Sequence, residues 1–98
     1  MTINKTKNGT NLTVAVEGRI DTVTAPEFEN EVKSAIDGID ELVLDFTELN
    51  YISSAGLRVL LSLQKVMNKQ GSMTVKNVNE TVSDIFEVTG FSDILTIK

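Results

Sequence analysis

The residues best placed to do chemistry in this chain form one short stretch, Tyr51-Ile52-Ser53-Ser54-Ala55-Gly56-Leu57. Two hydroxyls and a glycine lie there between an apolar, strand-like run, Leu42 to Phe46, and a helix-like run from Leu57 to Lys69. The first N–H groups of a helix have no intrahelical partner, so such a junction attracts anions. It can hold a phosphate on a ligand, or a phosphate attached to the serine itself. The plainer alternative is that Ser53 or Ser54 caps the helix, a role worth about 1 kcal/mol. One cap suffices, however, and two serines are present. Ser54, Arg58, Ser62, Lys65 and Lys69 follow a helical spacing that sets Ser54 at the head of the helix's only polar stripe, within reach of solvent. The rest of that helix is apolar: Leu57, Val59, Leu60, Leu61, Leu63, Val66 and Met67. Burial between the sheet and a neighbouring helix is the expected use of these residues. A face left open for a partner is the alternative.

Composition removes whole classes of function. The chain has neither cysteine nor histidine. Disulfides, thiolate metal sites and cysteine nucleophiles are excluded, and so is the commonest general base. No Walker-type glycine loop or dinucleotide fingerprint occurs, and only carboxylates could act as a base near Ser54. No nucleophile–base pair can be named, so the chain does not read as an enzyme, and no cofactor or metal is expected. Nine basic residues against fourteen acidic ones give a formal charge of −5. That balance argues against nucleic acid and against an anionic membrane surface. It also points, weakly, to a monomer. No apolar run approaches the roughly 20 residues that span a bilayer, and the N-terminus is polar. A soluble, cytoplasmic protein is expected, with residues 1–98 forming a single domain.

The elements that must position the serines can be read from periodicity. Leu12, Val14 and Val16 alternate with smaller or polar residues as in a half-buried strand. A weaker strand near Ile3 to Lys7 precedes it, with Asn8-Gly9 as a hairpin turn. Thr24 reads as the N-cap of a first helix, with Pro26 in the first turn and Glu27 completing a capping box. Val23 and Phe28 are placed as a hydrophobic staple. Ala25, Phe28, Val32, Ala35 and Ile36 form its apolar stripe, and Gly38 reads as its stop. Residues 42–46 look like a central strand covered on both faces. The second helix runs from about Ala55 to Lys69 and stops at Gly71. Met73 to Lys76 is a further strand. Asn79 caps a third helix, about Glu80 to Thr89, with Val82, Ile85 and Phe86 inward and Gly90 ending it. Ile94 to Ile97 forms a short last strand. The glycines are read throughout as marks of where elements end. The order β-β-α-β-α-β-α-β implies right-handed crossovers between parallel strands. An α/β fold follows, with a mixed sheet of four or five strands and three to four helices packed on it.

The segment LVLDFTELNYISSAGLRVLLSLQKV resembles the signature region of STAS domains, above all the bacterial anti-sigma-factor antagonists. In that family a strand ending in an acidic residue leads through a short loop to Asp, then the phosphorylated serine, then Ser, Thr or Ala, then Gly and Leu. The matching positions are Ser54 for the acceptor, followed by Ala55, Gly56 and Leu57. Gly18-Arg19-Ile20-Asp21 resembles the family's turn before the first helix, and Phe86 to Phe91 its closing helix-and-glycine pattern. The likeness covers nearly the whole chain in order. It departs at one position: Ser53 stands where the family usually has Asp, which removes a carboxylate beside the acceptor and leaves a second hydroxyl there.

The resemblance implies a partner-switching regulator. The unphosphorylated domain would bind an anti-sigma factor that is also an ATP-dependent serine kinase, and so release the sigma factor. The kinase would phosphorylate Ser54 and the complex would part, and a serine phosphatase would restore the hydroxyl. ATP, magnesium and the base would all come from the partner. A phosphoserine adds about −1.5 to −2 charges, which a helix N-terminus tolerates but a desolvated interface does not. The domain is therefore expected to stay folded while the interface fails. On this reading Asp21, Ser53, Ser54, Gly56, Leu57 and Arg58 are the candidate partner-binding residues. Asp21 is equally well read as a simple turn residue. Asp45 is either a solvated strand end or a holder of the Ser53–Ser54 loop, and Glu48 reads as exposed. Arg58 could pair with a phosphate on Ser54 or simply be solvated. Two alternative functions remain: a STAS subunit bracing a membrane transport ATPase without phosphorylation, and a sensor of a small ligand or nucleotide at the helix terminus.

Overall fold

The computed structural model describes all of residues 1–98. Strands β1 (Thr2–Asn8) and β2 (Asn11–Ile20) open the chain as an antiparallel hairpin. Helix α1 (Ala25–Lys33) follows, then β3 (Glu41–Asp45), β4 (Leu49–Ile52), α2 (Ser54–Gln70), β5 (Ser72–Lys76), α3 (Glu80–Thr89), a 3-10 turn at Phe91–Asp93 and β6 (Thr96–Ile97). The sheet has six strands in the order β1-β2-β3-β5-β6, with β4 beside β2. All pairs after the hairpin are parallel.

The expectation of four or five strands was short by β4. This strand has only four residues, too few for its period to stand out beside the serines. It exists because β2 is ten residues long and outruns β3. β2 pairs with β3 through residues 11–15, shifts register between Gly18 and Arg19, and then pairs with β4 through Arg19↔Tyr51 and Ile20↔Ile52. Gly18, with φ +102°, lies at that irregularity inside the strand and not at its end.

The rows Leu12–Leu42–Met73 and Val14–Leu44–Val75 run across three adjacent parallel strands, and every member is buried. The alternate residues Thr13, Ala15, Val43, Asp45, Thr74 and Lys76 are only half-buried. One face of the sheet is therefore sealed and the other is partly open. This corrects the expectation of a central strand covered on both sides: its apolar run is an alternation of Leu with Val43 and Asp45. Leu57, Val59, Leu60, Leu63 and Met67 of α2 complete the core, with Phe28 and Val32 of α1 and Val82 and Phe86 of α3. The apolar side of α2 is thus spent on packing, with Leu61 and Val66 half-buried at its margin.

Several local expectations change. The hairpin turn is Gly9-Thr10, one residue later than Asn8-Gly9, because Asn8 pairs with Asn11. α1 ends at Lys33, and Gly38 lies in the next turn, leaving Ile36 buried outside the helix. The capping box at Thr24 does not form, and Val23 is 85% exposed instead of stapling Phe28. α2 begins one residue earlier than expected, at Ser54. α3 runs as expected, with Asn79 capping it and Gly90 closing it in the left-handed region at φ +82°.

Candidate functional site

β2 and β4 are neighbouring parallel strands, so the loops leaving their C-terminal ends emerge side by side. The Ser53 N–H donates to the Ile20 carbonyl at 2.8 Å, tying the serine loop to the residue before Asp21. Tertiary structure thus brings Asp21 and the Ser53–Ser54 pair to one pole of the sheet, although 32 positions separate Asp21 from Ser53 in the chain.

The two serines have separate tasks. Ser53 has extended backbone and caps α2, its Oγ accepting from the Gly56 N–H at 3.4 Å, which is a long bond. Ser54 is the first helical residue, is exposed, and uses its hydroxyl in no bond within the chain. α1 carries Glu27 and α3 carries Glu80 in its first turn, whereas α2 has no acidic residue there. The positive end of the longest helix is therefore not neutralised by its own side chains.

Gly56 and Leu57 are buried, and there they seat the first turn of the helix. A Cβ on Gly56 would lie 2.6 Å from Ile52 Cγ1 and 2.8 Å from Ile20 Cγ2. Only a glycine lets the first turn of α2 settle onto the ends of β2 and β4. This glycine is a packing device inside a helix, not the mark of an end.

Asp21 organises the neighbouring loop. Its Oδ1 accepts from the N–H groups of Val23 at 2.9 Å and Thr24 at 3.0 Å. The Thr24 hydroxyl accepts from the Asp21 N–H at 2.8 Å and lies within donating reach of the Arg19 carbonyl and the Asp21 carboxylate. Asp21 and Thr24 thus each accept from a loop N–H ahead of α1, and neither side chain caps the helix. The pKa of Asp21 is held below the ordinary value of 3.8, first by the Thr24 N–H and then by Val23, the Thr24 hydroxyl and Arg19, against some desolvation. The Arg19 Nε lies 3.2 Å from Asp21 Oδ2, and its guanidinium sits 5.0 Å from the centre of the Tyr51 ring.

Asp45 holds a different loop from the one considered for it. Its Oδ1 accepts from the Thr47 hydroxyl at 2.6 Å, the Thr47 N–H at 3.1 Å and Asn77 Nδ2 at 3.2 Å. The Thr47 hydroxyl is the main cause of its lowered pKa. It fastens the β3–β4 turn to the end of β5, and β4 then delivers Ser53. Glu48 is exposed, as expected.

Between the starts of α1 and α2 lies an open groove of about 320 Å³ lined by Thr22, Ala25, Pro26, Glu29, Ala55, Arg58 and Val59. Sequence reasoning found Arg58 and missed the α1 side. Glu29 and Pro26 carried no signal of their own, because only the packing of one helix on the other sets them opposite Arg58.

A family-wide profile of the STAS domain matches residues 2–98. The chain is a STAS domain. It is 32% identical over 97 residues to the anti-sigma-B factor antagonist of Listeria monocytogenes, covering 96% of this chain and 84% of that one. The crystal structure of an anti-sigma factor antagonist from Mycobacterium paratuberculosis superposes with a TM-score of 0.89 at 24% identity, over 98% of this chain and 83% of that one. SpoIIAA, an anti-sigma factor antagonist of Bacillus, matches in its unphosphorylated form with a TM-score of 0.84 at 15% identity, over 99% of this chain and 88% of that one. Its phosphorylated form matches with a TM-score of 0.76 at 14% identity, over 99% and 91%. At these identities the structural likeness establishes the fold, an α/β domain of the SpoIIAA type. No helix of this STAS domain is long and apolar enough to cross a membrane.

Proposed function

We propose that this STAS domain is an anti-sigma-factor antagonist that works in the cytoplasm and is switched by phosphorylation of Ser54. The observation that carries the reading is the division of labour between the serines: Ser53 caps α2, while the Ser54 hydroxyl is exposed and unengaged at a helix end with no acidic residue in its first turn. The sequence kinship with anti-sigma-B factor antagonists supports the partner class. SpoIIAA, of the same fold, exists in unphosphorylated and phosphorylated forms.

The unphosphorylated domain presents the Asp21 loop, Ser53, Ser54 and the groove beside Arg58 to an anti-sigma factor that is also a serine kinase. Phosphorylation transfers the γ-phosphoryl group of ATP held by that partner to Ser54 Oγ. The bond to the β-phosphate breaks, the ester bond forms, ADP leaves, and the serine proton passes to a base of the partner. The domain is the substrate of this step and not its catalyst. The Asp21 carboxylate, a candidate from the neighbouring loop, is already occupied by Val23, Thr24 and Arg19. The new charge then meets the partner's interface, where losing its water costs several kcal/mol unless a cation pairs with it. A serine phosphatase reverses the modification.

Intact-mass spectrometry after incubation with ATP, magnesium and the candidate kinases of the source organism tests the proposal. One added phosphate, lost in Ser54→Ala and retained in Ser53→Ala, is the expected result. Loss only in Ser53→Ala would place the acceptor one residue earlier, and no phosphate with any kinase would favour an unphosphorylated scaffold.

A further inference from the structure

We propose that Arg58 is the internal counter-ion of phosphorylated Ser54, so that one modification both adds negative charge and withdraws the only cation lining the neighbouring groove. This inference rests on the reading of Ser54 as the acceptor and adds what the phosphate does to the surface around it.

Arg58 lies four residues after Ser54 in α2, one turn along the same exposed stripe. Side chains of a helix lean toward its N-terminus, so an arginine there leans onto the turn that begins with Ser54. Anion first and cation four residues later is also the favourable order for an ion pair on a helix. The planar guanidinium offers paired donors to phosphate oxygens.

The cation is free to respond. Lys5, Arg19 and Lys33 are held by Glu31, Asp21 and Glu29 at 3.4, 3.2 and 3.0 Å, whereas Arg58 is in no ion pair. Glu29, the carboxylate across the groove, is engaged by Lys33 within its own helix. The first turn of α2 offers no acidic side chain to compete for Arg58. Rivals to Arg58 are poorly placed. Lys65 is eleven residues beyond Ser54, about 16 Å along the helix axis at 1.5 Å per residue. Arg19 is stacked on Tyr51 and paired with Asp21.

The consequence is a two-part switch. Before modification the groove offers a partner one cation, Arg58, beside Ala25, Pro26 and Val59. After it, Arg58 serves the phosphate, and Glu29 is left as the groove's only charged side chain. A partner that sets an acidic residue against Arg58 loses that contact as well as meeting the phosphate.

The test places phosphoserine at position 54 by genetically encoded incorporation, which needs no kinase, and follows the phosphate by phosphorus NMR across pH. A free phosphoserine has its second pKa near 6. The parent protein should titrate lower, and Arg58→Gln should raise the value by about 0.3–0.5 unit, a two- to three-fold change in proton affinity. Arg58→Lys should recover part of the shift, Arg19→Gln should leave it in place, and about 1 M salt should erase it. Equal titration of the parent and Arg58→Gln would overturn the pairing, as would a shift produced by Arg19→Gln in its place. The reading of Ser54 as a kinase substrate stands or falls separately, on the mass assay.

Discussion

At the N-terminus of α3, Asn79 accepts from the Val82 N–H at 2.8 Å and donates to the Leu49 carbonyl at 2.9 Å, and Glu80 complements the helix dipole. At the N-terminus of α2, Ser53 accepts from the Gly56 N–H at 3.4 Å, no acidic residue follows, and Ser54 stands exposed. Both junctions join a strand to a helix at the edge of one core. The first is closed by its own side chains, and its third helical position is filled by the buried Val82. The second is left electrostatically open, and its third position is stripped to a glycine so that the helix can sit on Ile20 and Ile52. On the proposed function, the difference separates a junction built for stability from one built to receive charge. α2 gains its stability from its buried length, so its first turn can dispense with strong local satisfaction.

The largest expected effect falls on binding. Ser54→Asp should weaken the complex with the cognate anti-sigma factor by about a hundredfold or more, through a charge that the interface must strip of its water. The same change should leave the melting temperature unchanged or slightly raised, because an anion is favoured at a helix N-terminus. Isothermal titration calorimetry with the partner, beside a thermal melt, checks both. Tight binding by Ser54→Asp would remove the open junction from the interface.

Next comes Gly56→Ala. Overpacking against two buried isoleucines costs about 1–3 kcal/mol, and the gain of about 1 kcal/mol in helix propensity offsets only part of it. A net loss of up to about 2 kcal/mol in urea unfolding is expected. Stabilisation would mean that the first turn of α2 has room to lift.

Comparing the caps directly sharpens the contrast. Asn79→Ala should cost about 1.5–2 kcal/mol, since it removes the cap and the bond to Leu49 together. Ser53→Ala should cost about 0.5 kcal/mol, the low end for a long cap. Equal losses in chemical denaturation would show the two ends to be built alike.

The smallest effect is in acid. Asp21 and Asp45 have pKa values lowered below 3.8 in the folded state. Each contributes stability that is fully present above the unfolded value and is lost as pH falls through the folded one. Asp45→Asn should therefore flatten the stability curve below about pH 4, as should Asp21→Asn, when unfolding is followed by far-UV circular dichroism. An unchanged acid limb in either variant would mean that its hydrogen bonds do not depend on the charge.

Much of this was legible in the chain. The period of two in β2 and β5, the period near 3.6 in α2 and α3, and the Asn79 and Gly90 boundaries of α3 all follow from local physics. Ser54 stood out for similar reasons, as a hydroxyl heading a polar stripe. β4 was not legible, because four residues carry too little periodicity and its pairing depends on how far β2 outruns β3. Thr24, Pro26 and Glu27 promised a capping box. Asp21 pre-empted it by taking the free N–H groups of that loop for its own carboxylate.

Taken alone, the amino-acid sequence determined which residues are apolar at which spacing, where helices can begin and end, and that the chain brings no histidine or cysteine to any reaction. Those properties depend on neighbours a few positions away. Only the tertiary structure decided that Ser53 would cap while Ser54 stays free, that Gly56 is needed for two isoleucines from different strands, and that Glu29 and Pro26 face Arg58 across a groove. These depend on contacts between segments distant in the chain, whose geometry is set by the pairing of β2 with β4 and the packing of α1 on α2.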